Sequence, residues 1–153
     1  MRIAIGSDHA GVEMKRDLAD FLAQKGHQVT DLGTHTTAPV DYPDIAAAVA
    51  EAVRGGQAER GVVICGSGAG AAIAASKFPG IRASVVHDDY TARQSVEHDN
   101  LNVLCLGARV IGPALARTLV ETFMAANFSG ESRHVQRLRK IEVIEKRFGR
   151  PTG

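Results

Sequence analysis

One stretch constrains the fold more than any other. It is Gly61-Val62-Val63-Ile64-Cys65, followed by Gly66-Ser67-Gly68-Ala69-Gly70 and then Ala71-Ala72-Ile73-Ala74-Ala75-Ser76-Lys77. Val62 to Ile64 is a short, wholly apolar, β-branched run, the pattern of a strand covered on both faces. The glycines remove Cβ atoms where the backbone turns or a ligand comes close. The alanine run after them has high helix propensity and little bulk. A strand, a glycine loop and a helix in that order leave free N–H groups and a partial positive charge at the helix start. That arrangement suits a phosphate or a developing oxyanion. Cys65 stands at the last strand position, where its sulfur can face the loop.

The rest of the chain repeats the same alternation. Arg2 to Gly6 reads as a strand, ending in the polar turn Ser7-Asp8-His9-Ala10-Gly11. Met14, Leu18, Phe21 and Leu22 then fall at helical spacing until Gly26. Gln28 to Leu32 is a second strand, and 33–41 is a loop. Pro43 sits in a first helical turn, and Ile45, Val49 and Val53 line one face as far as Gly55-Gly56. After the central strand and its helix, Ile81 to Val86 is a fourth strand. His87-Asp88-Asp89 opens a helix reaching about His98. Val103 to Leu106 is the fifth strand, ending in Gly107-Ala108-Arg109. Leu115, Leu119, Val120 and Phe123 mark the next helix. A last helix over about 132–148 carries Leu138, Ile141, Ile144 and Phe148 as its apolar face. Strand alternating with helix predicts βαβ units, right-handed crossovers and a five-stranded parallel sheet between two helix layers, an α/β fold. Ligands of such sheets bind beyond the carboxyl ends of the strands. There the chain places the loops at Ser7–Gly11, Cys65–Gly70 and Gly107–Arg109.

Composition narrows the function. The 153 residues suit a single domain over 1–153. A net charge of +1 and 5% aromatic residues without Trp argue against a nucleic-acid or membrane partner and for a small ligand. Two cysteines make no disulfide framework, and no leader-like opening or 18-residue apolar run occurs. The reading is a reduced, cytoplasmic protein.

Each candidate has a plain alternative. Gly66-Ser67-Gly68-Ala69-Gly70-Ala71 fits the loose dinucleotide pattern G-x-G-x-x-A, with Asp88 placed as a ribose-binding acid. That fingerprint ordinarily opens a first unit, and here it lies in the third. The P-loop and nucleophile-elbow spacings do not fit. Cys65 taken alone reads as a core thiol, but it adjoins a glycine loop and a helix N-terminus, which favours thiolate. Cys105 has no such setting and reads as core. Asp8 can cap a turn, and the acid–imidazole pair Asp8-His9 can equally serve a site. His98 can complement a helix dipole. Arg133 and Arg137 share a helix face four residues apart, either as a phosphate fork or as a solvated basic face. No His, Cys, Asp and Glu set has metal spacing.

Together, five motifs resemble the B-type ribose-5-phosphate isomerases, in the family that also includes galactose-6-phosphate isomerase subunits. They are Gly6-Ser7-Asp8-His9-Ala10-Gly11, Asp41-Tyr42-Pro43-Asp44, Cys65 through Gly70, Asn102-Val103-Leu104 with Gly107 through Gly112, and Arg133-His134 with Arg137. The resemblance spans nearly the whole chain. It implies a Rossmann-like three-layer α/β/α fold with a C-terminal helix. It also implies a homodimer or dimer of dimers, and aldose–ketose interconversion of ribose 5-phosphate without cofactor or metal. A six-carbon phosphate (allose or galactose 6-phosphate) is the nearest alternative substrate. A non-catalytic nucleotide- or phosphate-binding module is the alternative from another class.

By position, the resemblance makes Cys65 the base that moves a proton between C2 and C1. Ser67 and the amides of Gly66, Gly68, Ala69 and Gly70 become the oxyanion hole. His98 becomes the group that opens the furanose ring, with Asp8 assisting at sugar hydroxyls. His9, Arg109, Arg133 and Arg137 become phosphate contacts, and Asp41 and Tyr42 line the sugar. The family commonly has His-Asn where this chain has His98-Asp99, so a carboxylate stands where an amide is usual. Ser67 keeps the hydroxyl of the threonine that is also common there. Gly130-Glu131-Ser132 looks inserted before Arg133. Members without the cysteine use a glutamate at the place of Ala71, which leaves Cys65 as the base here. By connectivity, His98 falls near the amino edge of the sheet and Cys65 at the carboxyl edge. The site is therefore expected to be shared across a two-fold dimer.

Overall fold

The five apolar runs pair side by side as parallel strands. A computed structural model describes residues 1–149. Its sheet holds β1 (Arg2–Ser7), β2 (Gln28–Asp31), β3 (Arg60–Cys65), β4 (Ala83–Val85) and β5 (Val103–Gly107), in the spatial order β2-β1-β3-β5-β4. The helices are α1 (Val12–Gln24), α2 (Tyr42–Arg54), α3 (Ala69–Ala75), α4 (Asp89–Asp99), α5 (Pro113–Ala125) and α6 (Ser132–Phe148).

Strand side chains alternate in direction, so each sheet face builds its own core. On one face Ile3, Ile5, Val62, Ile64, Leu104 and Leu106 pack with Leu18, Val96, Leu119 and Phe123 from α1, α4 and α5. On the other face Ala4, Val63, Val103 and Cys105 pack with Ala46, Val49, Ala71 and Ala75 from α2 and α3. This is the expected α/β/α arrangement. A fully buried ring such as Phe123 contributes about 1.5–3 kcal/mol.

The topology positions the site. Connections toward the β2 edge run through α1, and those toward the β4 edge through α2 and α3 on the opposite face. β1 and β5 flank β3 and send their following helices to the first face, while β3 sends α3 to the second. The crevice opened by that reversal lies beyond the carboxyl end of β3, at Cys65.

β4 is shorter than the predicted 81–86 because its start is drawn out of the ladder. Ile81 N–H closes a turn on the Phe78 carbonyl, and Arg82 N–H donates to Asn102 Oδ1 at 2.8 Å. The apolar stripe of α6 is not absorbed into either core. Ile141, Ile144 and Phe148 are 46%, 59% and 71% exposed. Among the described residues no helix is long and apolar enough to cross a membrane.

Candidate active site

Three loops converge at the carboxyl end of β3. They enclose a cleft of about 490 Å³ lined by Asp8, Tyr42, Cys65, Gly66, Ser67, Gly70, Arg109 and Val110. That is within the usual range for a small-ligand site.

Cys65 ends β3 and is 4% exposed. Its Sγ accepts the Gly68 N–H at 3.1 Å, and a donor so placed supports negative charge on sulfur. Gly68 reaches this geometry with φ of +83°, and a Cβ there would stand 3.0 Å from the Leu106 carbonyl carbon. Both observations require glycine. Cys105 lies on the same sheet face, level with Val63, two residues back along the ladder. Cys105 is fully buried in the core, and burial first, then the charge of Cys65, pushes its thiol far up.

The hydroxyl of exposed Ser67 accepts from Ala69 N–H at 3.2 Å and keeps its own proton for a ligand oxygen. Asp8 serves both of its readings. Its Oδ1 accepts Ala10 N–H at 2.9 Å, capping the short 3₁₀ turn His9–Gly11, while the same buried residue lines the cleft. Its own N–H donates to the Ile64 carbonyl at 3.1 Å, which ties this loop to β3. Ala108 N–H donates to the Cys65 carbonyl at 2.8 Å and Arg109 N–H to the Gly66 carbonyl at 3.0 Å. These bonds lay the Arg109 side chain beside Gly66.

Tyr42, at the start of α2, closes the cleft from the other side. Its ring rests against Gly70, where a Cβ would stand 2.5 Å from Cζ. The loop leading to Asp41 and Tyr42 is pinned from below. Buried Lys15 donates to Asp31 Oδ1 at 2.8 Å and to the Thr34 carbonyl. Arg16 Nη2 donates to the His35 carbonyl at 2.6 Å. His9 Nδ1 accepts Val40 N–H at 3.2 Å, which leaves the neutral imidazole its proton on Nε2.

The remaining predicted residues lie elsewhere. Asp41 is exposed next to Tyr42. Ala69 turns toward a neighbouring hollow with Ile73, Ser76 and Lys77. His98 and Asp99 are in the last turn of α4, and Arg133 and Arg137 lie in the first turns of α6. Arg133 Nε donates to Glu131 at 3.0 Å. Cys65 is level with Gly107 in the ladder, and His98 precedes Val103. The strand between them advances about 13 Å at roughly 3.3 Å per residue. A single chain thus keeps Cys65 and His98 at opposite ends of the strands.

Asp88 does not serve as a ribose acid, because its side chain caps α4 by accepting Thr91 N–H at 2.8 Å. That cap also holds its carboxyl below the usual range. Sequence reasoning missed Val110, which has no chemical signature. It also missed His87, whose Nε2 accepts Gly107 N–H at 2.9 Å behind the loop. Among the described residues no group of three His, Cys, Asp or Glu side chains is placed to hold a metal ion.

Fold and cleft define a Rossmann-like α/β protein with a small-molecule site at the carboxyl edge of its sheet. The chain belongs to the Ribose/Galactose Isomerase family, whose profile matches residues 3–141. It is 43% identical over 146 residues to ribose-5-phosphate isomerase B of Escherichia coli, covering 95% of this chain and 97% of that one. The solved ribose-5-phosphate isomerase B of Clostridium thermocellum superposes with a TM-score of 0.94 at 52% identity, covering 97% and 99% of the two chains. That of Mycoplasma genitalium, solved with bound ribulose 5-phosphate, superposes at 0.89 and 39% identity, covering 95% and 96%.

Proposed function

We infer that this chain is an aldose–ketose isomerase that interconverts ribose 5-phosphate and ribulose 5-phosphate, working as one cytoplasmic domain in a homodimer. The observation that carries the chemistry is the cleft itself. Cys65 Sγ, the Ser67 hydroxyl, Asp8 and Arg109 line one small volume, with a backbone N–H already on the sulfur.

Ring opening breaks the C1–O4 bond. The O1 hydroxyl proton leaves toward Asp8, the electron pair passes to O4, and O4 takes a proton from His98. Cys65 then removes the C2 proton, and the pair moves to O1 to give an enediolate. The Ser67 O–H and the amides of Gly66 and Gly70 stabilise that charge as it forms, where a positioned donor has most effect; the Gly68 and Ala69 amides are instead held by Cys65 Sγ and Ser67 Oγ. The proton returns from Cys65 to C1, O2 gives up its proton, and O1 gains one. Every hydrogen remains within the substrate or exchanges with the site. The phosphate is held by His9 and the arginines, so binding energy away from the reacting carbons orients them.

Distance supports a shared site. His98 lies at the far end of the strand from Cys65, and in this reading a second copy supplies His98 together with Arg133 and Arg137. The exposed stripe Ile141, Ile144 and Phe148 lies on the same helix as the two arginines and supports burial of that helix against a partner.

The direct test is Cys65→Ala, assayed with ribose 5-phosphate. Turnover should fall by about 10²–10⁴-fold while sugar phosphate still binds. Unchanged turnover would remove Cys65 as the base.

A further inference from the structure

His134 sits inside the Arg133–Arg137 motif but has no part in the chemistry above. It is the buried residue of α6, only 1% exposed, whereas Arg133 and Arg137 face outward. Its ring lies on that of His98, with centroids 4.0 Å apart and planes 25° from parallel. Each ring is also held at Nδ1. The Gln94 amide bonds His98 at 3.1 Å, and the Ser129 hydroxyl bonds His134 at 2.5 Å. Among the described residues His134 Nε2 is buried without a partner.

These contacts select one state of the pair. A protonated Nε2 in His134 would be a buried N–H with no acceptor, while a bare lone pair costs less. The neutral ring with its proton on Nδ1, donated to Ser129 Oγ, fits this environment. Burial and then the neighbouring His98 and Arg133 charges, with Arg137 adding to them against Glu131, hold His134 below the usual imidazole range. With the Gln94 amide on its Nδ1, neutral His98 carries its proton on Nε2. That proton is the one ring opening needs. Gln94 fixes one edge of the His98 ring and His134 one face, and together they set its torsion.

We propose that His134 is a positioning residue, a fixed neutral platform that sets the plane of the His98 ring for opening of the sugar. This rests on the reading of His98 as the ring-opening group. His134 itself does not reach the substrate, because almost none of its surface is open. Misplacing a reacting group by about 1 Å can cost on the order of a hundredfold in rate.

The test compares turnover of ribose 5-phosphate with inhibition by 4-phosphoerythronate, an open-chain enediolate mimic that needs no ring opening. His134→Ala should lower kcat about ten- to a hundredfold while the inhibition constant stays within about threefold of wild type. His134→Phe keeps a flat ring and should restore most of the turnover, whereas His134→Gln keeps only a hydrogen-bonding group and should not. His98→Ala is the control for the underlying reading. If His98→Ala leaves turnover intact, the ring-opening role fails and this inference fails with it. If His98→Ala is impaired and His134→Ala is not, the positioning role alone is overturned. A parallel loss of turnover and inhibitor binding in His134→Ala would mean a phosphate or structural role and would also overturn it. Should His134→Ala not fold, the Phe and Gln variants decide, and Phe no better than Gln refutes the platform.

Discussion

Two inactive variants of this chain should rescue one another. Cys65 lies level with Gly107 at one sheet edge, and His98 precedes Val103 at the other. The intervening strand alone spans about 13 Å, against a hydrogen-bond reach of about 3 Å. If the halves meet only across a two-fold axis, each complete site draws Cys65 from one chain and His98 from the other. Cys65→Ala and His98→Ala homodimers then have no complete site. A heterodimer of the two has one complete site and one lacking both groups. Co-expression with two different affinity tags isolates that heterodimer. Its isomerisation rate per dimer should be about half of wild type, because isologous pairing leaves one intact site of two. Each parent should remain about 10²–10⁴-fold down. A purified heterodimer no more active than its parents would refute the shared site and require some other route between the sheet edges.

Other outcomes follow from single contacts. Arg137→Ala removes a charge-assisted contact to phosphate, worth about 1.5–3 kcal/mol, so KM should rise roughly 10–100-fold with little change in kcat; an unchanged KM would remove Arg137 from the phosphate shell. Gly70→Ala forces the Tyr42 ring away from a Cβ only 2.5 Å from Cζ. Because Tyr42 is 42% exposed, the ring can swing, so thermal stability should drop by less than about 1 kcal/mol while KM rises; a large stability loss with normal KM would show that the ring cannot yield. Burial lowers the pKa values of both His27 and His134. The unfolded chain therefore binds more protons than the folded one just below the ordinary imidazole value of about 6.5, and stability should fall as pH drops through that region. Urea midpoints at two pH values on either side of it should differ in wild type and differ less in His134→Phe.

The sequence by itself was sufficient for the sheet, its two helix layers and most of the residues that line the candidate cleft at Cys65. Strand and helix periods are local properties, and Val62–Ile64 followed by the glycine loop can hardly be satisfied except at the centre of a parallel sheet. Cys65, Ser67, Asp8 and Arg109 were legible for the same reason, since each sits in or directly after a loop at a strand's carboxyl end, and topology brings those loops together. The length of β4 was not legible, because Asn102 competes for the Arg82 N–H from a distant turn. The double use of Asp8, as turn cap and cleft wall, and the use of Asp88 as a cap, depend on where single N–H groups point. His134 shows the limit best. Its place between two arginines gave it no role in the sequence, and only the packing of α6 on α4 turned it inward against His98. Side chains brought together by helix packing carry no shared period along the chain, so tertiary structure alone decides which of them touch.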